Sequence, residues 1–317
     1  MTAPRLAVVL GPCDDMRAEV FFRVPLPDGT ATARVGGVLV GPECRRAVTL
    51  PATARVVDLG PTRATAGPLA TAVGKAIVTE PAYWTPDLPA LYRLDLHVEG
   101  VDAAWQVPQM VIGLRRFGPR RRSLWLDGRR WVPRGVACSA AELHVPTLRD
   151  AGSTSVLVEP DDPLLAAADA AGVAVIALLD RVDDAAAERV AAWAVHPAAM
   201  LAVAPKSATA AQVTALAAAV RSVKGTLLVA WVVSGTVPPP AVPDGVDCLV
   251  VAIDAGGLPH AGWREPPQIP LVAWRHAGVS SGERRRACDV LQADLAAWGL
   301  GAGGAGRGWD WAGYVVG

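Results

Sequence analysis

The chain has 317 residues, 52% of them hydrophobic, and 30 basic residues balance 30 acidic ones to a formal net charge of zero. That length suits two folding units and a large core. The even charge excludes the broad positive field that nucleic-acid binding needs, and it leaves little colloidal repulsion against a homo-oligomer. No run reaches the roughly 18–20 apolar residues of a membrane span, so no membrane partner is expected. The start, Met1-Thr2-Ala3-Pro4-Arg5-Leu6, runs into an expected strand without the charged, apolar and cleavage regions of a signal peptide. Cys13, Cys44, Cys138, Cys248 and Cys288 are dispersed, with no C-x-x-C or Cys/His spacing for zinc. They read as reduced, buried thiols in a cytoplasmic protein with no metal and no cofactor.

From Met1 to about Phe117, short apolar runs are broken by Pro and Gly: Arg5–Leu10, Ala18–Val24, Ala33–Val40 and Leu91–Val98. In the last of these, Leu94, Leu96 and Val98 alternate with Arg93, Asp95 and His97, the period of a half-buried strand. The pattern predicts a β-sandwich over residues 1–117. Arg115, Arg116 and Arg120–Arg122 then form a basic run read as a solvated linker face. After about Val132 the pattern changes. Expected strands at Gly135–Cys138, Thr154–Val158, Val173–Leu179, Met200–Ala204, Thr226–Val233, Cys248–Ile253, Pro270–Trp274 and near Leu300–Ala305 are apolar on both faces. Ala-rich helical stretches at Asp162–Ala171, Asp184–Trp193, Ala208–Val223 and Gly282–Trp298 lie between them. Alternating strands and helices predict a (β/α)8 TIM-type barrel over residues 118–317, with a doubly wound open sheet as the alternative. Pro238-Pro239-Pro240 marks a stiff loop, and Gly301–Gly308 a loop rather than a phosphate cradle, since it lacks the G-K-[ST] ending.

Several segments together resemble glycoside hydrolase family 2, the β-galactosidase and β-glucuronidase group. Tyr83-Trp84-Thr85-Pro86-Asp87-Leu88-Pro89-Ala90-Leu91-Tyr92-Arg93-Leu94 is similar to its W-x-P-x-x-P-x-L-Y-x-L. Ile112-Gly113-Leu114-Arg115-Arg116-Phe117 is similar to F-G-x-R-x followed by an apolar position. Leu124 to Val136, with Asp127-Gly128 and Arg134-Gly135-Val136, resembles F-x-L-N-G leading to R-G-V. Leu148-Arg149-Asp150-Ala151-Gly152, Leu164–Val175 and His196-Pro197-Ala198 follow in the family's order, over roughly residues 80–207. The resemblance implies an immunoglobulin-like sandwich before a glycosidase barrel. The family's N-terminal jelly-roll domain is expected to be missing before residue 1.

The same resemblance implies that the chemistry is gone. A retaining glycosidase uses two carboxylates about 5–5.5 Å apart, one as nucleophile and one as acid/base. Counting from His196 places Ser207 at the family's acid/base Glu, and a serine hydroxyl does not protonate a glycosidic oxygen near neutral pH. Counting from Pro270 places Arg275 at the nucleophile, and a guanidinium stays protonated. Thr154, Leu157, Ala137 and Ser139 stand where the family carries polar supporting residues. Other acids at the strand ends, Glu159, Asp180 and Asp254, are fallback carboxylates, although Asp161, Asp183 and Asp184 precede helices and read as caps. His196 reads as a structural hydrogen-bonding residue at a strand entry. The eleven tryptophans outnumber the three Phe and three Tyr. Trp231 and Trp274, near strand ends, with Arg275 and Asp254, make the expected ligand-binding set, indole faces stacking on sugar C–H surfaces. Arg275 is expected to bridge to Asp254. The reading is a catalytically inactive glycosidase-like protein, a binding or assembly module for a carbohydrate or a protein partner. The alternatives are an active hydrolase with relocated carboxylates and a structural protein whose rim holds no ligand.

Overall fold

A computed structural model of the chain describes residues 6–27, 33–63, 70–101, 107–140, 144–145, 155–221, 223, 225–276, 284–300 and 309–317. Seven antiparallel strands come first: β1 Ala7–Cys13, β2 Arg17–Pro25, β3 Arg34–Glu43, β4 Ala52–Arg63, β5 Ala70–Thr79, β6 Leu91–Glu99 and β7 Met110–Ile112. Alternation sets which face is buried. In β2, Ala18, Val20, Phe22 and Val24 are sealed, and in β6 Tyr92, Leu94 and Leu96 join them in one core. A small sheet of β8 Phe117–Arg120, β9 Ser123–Leu126 and β10 Arg129–Trp131 leads to the second half. Its tight turn is Asp127-Gly128, both at positive φ (49° and 75°), as a two-residue hairpin of this twist requires.

Eight parallel strands follow: β11 Arg134–Ala137, β12 Ser155–Val158, β13 Ala174–Leu178, β14 Ala199–Ala204, β15 Leu228–Ser234, β16 Cys248–Ile253, β17 Leu271–Arg275 and β18 Gly313–Val316. They pair in sequence order, and β18 pairs with both β17 and β11, closing the ring. β14 and β16 are buried at every residue. The helices are α1 Asp162–Ala171, α2 Ala186–Trp193, α3 Ala210–Val220 and α4 Arg284–Leu300. Asp161 caps α1 by accepting from the Leu164 amide at 2.8 Å, and Gly172 ends that helix at φ 72°. Thr209 and Gln212 form a capping box on α3.

Two architectural expectations are corrected. The first half matches the expected sandwich only in part. β4 pairs with β3 on one side and β5 on the other, so all seven strands make one curled sheet, in the order β1-β2-β5-β4-β3-β6-β7. Alternation dictates which face of a strand is apolar, not which neighbour it pairs with, and it cannot separate these arrangements. β4 is 12 residues long with an irregularity between Asp58 and Pro61, and this lets one strand serve both flanks. The second half is not a regular (β/α)8 TIM-type barrel. Among the described residues only four α-helices occur, after β12, β13, β14 and β17. The links around β16 carry the Pro238-Pro239-Pro240 loop and a 3-10 turn at Ala261–Arg264 instead, because proline at that density removes helical donors. The last strand is Gly313–Val316 and not Leu300–Ala305; Leu300 ends α4, and residues 301–308 lie outside the described residues.

Candidate functional sites at the two ends of the barrel

The strand register tells which barrel side chains point inward. Paired residues of parallel strands share a face, and successive residues alternate. The Arg275 guanidinium reaches Asp294 on α4, at 2.6 Å from Nη1 to Oδ2, and Arg134 bonds Gln292 of the same helix. Both therefore point outward. Arg275 pairs with Ile253, Ile253 shares its face with Leu249, and Leu249 pairs with Trp231. Trp231 is thus also on the outer face. Trp274, paired with Ala252 and Val315, points inward with Val272, Val250 and Val232. Its Nε1 donates to the Gly317 carbonyl at 3.3 Å, and its ring lies 4.3 Å from that of His276.

Of the four residues expected to bind ligand, only Trp274 faces the interior. Arg275 is 7% exposed and does not bridge to Asp254. Its partners are Asp294 and, at 3.1 Å, the Gly257 carbonyl. Asp254 is exposed just past β16, and Ser207 is exposed in the turn between β14 and α3. Glu159 is exposed past β12. Asp180 is held by Arg181 at 3.1 Å and Arg189 at 3.3 Å, and both arginines also bind Asp183. The Arg181 hydrogen bond holds the Asp183 carboxyl below the usual carboxylate range. Among the described residues no cluster of His, Cys, Asp and Glu could hold a metal ion. Thr154 lies outside the described residues.

The opposite end of the barrel, where the strands begin, holds a buried polar network that the sequence reading did not assemble. Asp169 on α1 is 5% exposed. Its Oδ2 lies 2.7 Å from His196 Nδ1, its Oδ1 accepts from the Ala198 amide at 2.8 Å, and its carbonyl accepts from Trp84 Nε1 at 2.9 Å. With both carboxylate oxygens accepting, the proton belongs on His196 Nδ1. Arg115, 3% exposed, donates to the Pro197 carbonyl, to the Ala199 carbonyl at 2.8 Å and to Thr226 Oγ1 at 3.1 Å. Burial pushes the Asp169 carboxyl up, against the pull of His196 and Arg115, and burial lowers Arg115, against the pull of Asp169.

His196 makes the structural hydrogen bond expected of it. Arg115 corrects the sequence reading: it is not on a solvated linker face but is the most buried arginine of its run. Its position next to the apolar Leu114 and two residues before Phe117 was the available signal, but the local basic run masked it. The same end is closely fitted. A Cβ on Gly113 would stand 2.5 Å from Pro197 Cγ, and one on Gly172 would stand 2.4 Å from the Pro86 carbonyl oxygen. Trp84, Pro86, Gly113, Arg115, His196 and Pro197 all come from segments that carry the family resemblance. Those segments converge where the curled sheet meets the barrel.

No family model matches the chain, and no curated protein matches it in sequence. Solved structures do match in fold. A β-glucuronidase of Bacteroides uniformis is 15% identical, with a TM-score of 0.60 over 87% of this chain and 40% of that one. A glycosyl hydrolase family 2 member from Bacteroides cellulosilyticus is 15% identical, with a TM-score of 0.65 over 98% and 44%. A Bifidobacterium dentium β-glucuronidase is 12% identical, with a TM-score of 0.63 over 98% and 59%. The chain thus spans less than two thirds of each neighbour's length, and at these identities the likeness is one of fold. No helix among the described residues is long and apolar enough to cross a membrane.

Proposed function

We propose that this chain is a glycosidase-like protein without glycosidase chemistry, serving as a binding or assembly module. The observation that carries this reading is the set of side chains at the ends of β14 and β17. After β14 the chain runs Pro205-Lys206-Ser207, and β17 ends in Trp274-Arg275-His276. Arg275 points outward, so its neighbours Trp274 and His276 stand on the inner face; neither register offers a carboxylate. Ser207 cannot replace an acid/base, whose assistance is worth about 10²–10⁴-fold in rate. The fallback acids support hydrolysis poorly. Asp180 is engaged by two arginines, and Glu159 and Asp254 are exposed past their strands rather than paired across a pocket.

The feature that favours carbohydrate over no ligand is Trp274. It is half-buried on the inner face, beside His276, where an indole could stack on a sugar ring. Titration with glucuronate, galactose and their β-linked oligosaccharides tests this, read by tryptophan fluorescence and calorimetry. Binding that disappears in Trp274→Ala while the fold is retained is the expected result. Saturable binding unaffected by Trp274→Ala would place the ligand elsewhere. No binding by any sugar would leave assembly with a protein partner as the function of the module.

A further inference from the structure

A groove runs between the curled sheet and helices α1 and α2, with a volume of about 990 Å³, at the upper end of the range of small-molecule sites. Much of its lining is aliphatic, with Met110 and Leu91 from the sheet side, Ala166 from α1, and Ala192 and Val195 from α2 and its end, and the charged Glu43, Arg45 and Asp162 also line it. No Phe, Tyr or Trp is among its described lining residues. At its floor lie Asp169 and His196. His196 Nδ1 is tied to the buried Asp169 carboxylate, and Ala198 occupies the other oxygen. His196 Nε2 makes no hydrogen bond among the described residues, yet it is not sealed from solvent, and the residue lines the groove.

We propose that this groove binds an elongated aliphatic molecule ending in a carboxylic acid, with the acid on His196 Nε2. The pieces fit that class in particular. Aliphatic side chains along much of the lining, with no Phe, Tyr or Trp among the described residues, favour a chain over a planar body. An imidazole whose Nδ1–H is fixed by a carboxylate presents a lone pair on Nε2, which accepts from an acid O–H. After the proton moves, the imidazolium donates to the carboxylate, with Asp169 as its counter-charge, so both protonation states stay hydrogen-bonded. A buried Asp behind a His whose far nitrogen is open is an arrangement for presenting that nitrogen. A histidine needed only to join the sheet to the barrel would not require the opening. The site is distinct from the barrel mouth around Trp274 and does not depend on the proposed function.

Dodecanoate, below its micelle concentration, is the probe, and calorimetry on the intact chain is the readout, with methyl dodecanoate as the neutral analogue. We expect one dodecanoate per chain and binding at least about tenfold weaker for the ester, which can neither donate to Nε2 nor carry the charge. Ala166→Trp, at an exposed helix position lining the groove, should weaken binding at least about tenfold by narrowing it, with unchanged circular dichroism. His196→Gln should weaken dodecanoate about tenfold and leave the ester unaffected. Failure of dodecanoate to bind would overturn the proposal. So would ester binding as tight as acid, or binding unchanged in Ala166→Trp. The wild-type comparison of acid with ester stands even if a His196 variant fails to fold.

Discussion

Where the barrel strands begin, the chain buries a carboxylate, a guanidinium and a histidine together and ties them to the sheet through Trp84. Where the strands end, its acids are exposed or spent on surface arginines, and the inward side chains of β15 to β17 are apolar apart from Ser234 and the indole of Trp274. Buried charge costs several kcal/mol of desolvation per ion, so it persists only where partners and geometry repay it. In an active glycosidase that expense falls at the rim, where two carboxylates are needed. Here it falls at the junction. The comparison teaches that this chain concentrates its buried charge where its two halves join and not at the strand ends.

The largest test of that contrast is Asp169→Leu. It strips the His196 ring and the Ala198 amide of their acceptor and removes the charge nearest Arg115, and breaking a buried charged network costs about 3–5 kcal/mol. Urea unfolding should show it; a loss under 1 kcal/mol would mean the network is incidental. Gly172→Ala comes next. It forces a side chain at φ 72° and against the Pro86 carbonyl, and should cost about 2–3 kcal/mol. A neutral result would show that the sheet and barrel slide freely there.

A finer test uses pH. In the folded chain burial holds the Asp169 carboxyl above its ordinary value of 3.8. The folded state then binds more protons than the unfolded chain in the window above 3.8, so stability from this group is fully present below that pH and is lost as pH rises through the raised value. Asp169→Asn cannot titrate, keeps an acceptor for Ala198 and lets His196 Nδ1 accept from its amide. Wild type should therefore lose stability relative to Asp169→Asn as the pH rises above 3.8, read from urea midpoints of both proteins. Parallel midpoints at every pH would show that His196 and Arg115 cancel the burial. The smallest effect belongs to the rim. Asp254→Ala, at an exposed position, should change stability by no more than about 0.5 kcal/mol; a loss above 1.5 kcal/mol would reveal a structural role there.

Much of the layout was legible in the chain. Seven of the eight parallel strands and all four helices fall close to where apolar runs and Ala-rich stretches put them, and α1 starts and ends at the residues expected, because Asp161, Pro163 and Gly172 are strong local punctuation. The sheet was less so: β4 and β5 escaped notice, since runs such as Ala52–Arg63 mix Arg, Asp, Gly and Pro with few large apolar residues. The ligand set failed to assemble for a related reason. Trp231, Trp274 and Arg275 each sit near a strand end, but which face each takes is fixed by inter-strand register, and a shift of one residue inverts it. The junction was hidden because its members, Trp84, Arg115, Asp169 and His196, come from four distant segments. Each is unremarkable locally, and only pairing across the two halves brings them together.

The central claim is that the rim performs no glycoside hydrolysis. Its most direct test is turnover of 4-methylumbelliferyl β-galactoside, β-glucuronide and β-mannoside by repurified protein, beside an Asp254→Ala, Glu159→Ala double variant. The account predicts fluorescence release equal for both proteins and no greater than buffer. Hydrolysis by the wild type that survives repurification and vanishes in the double variant would contradict it, and would make Asp254 and Glu159 working carboxylates of an active enzyme.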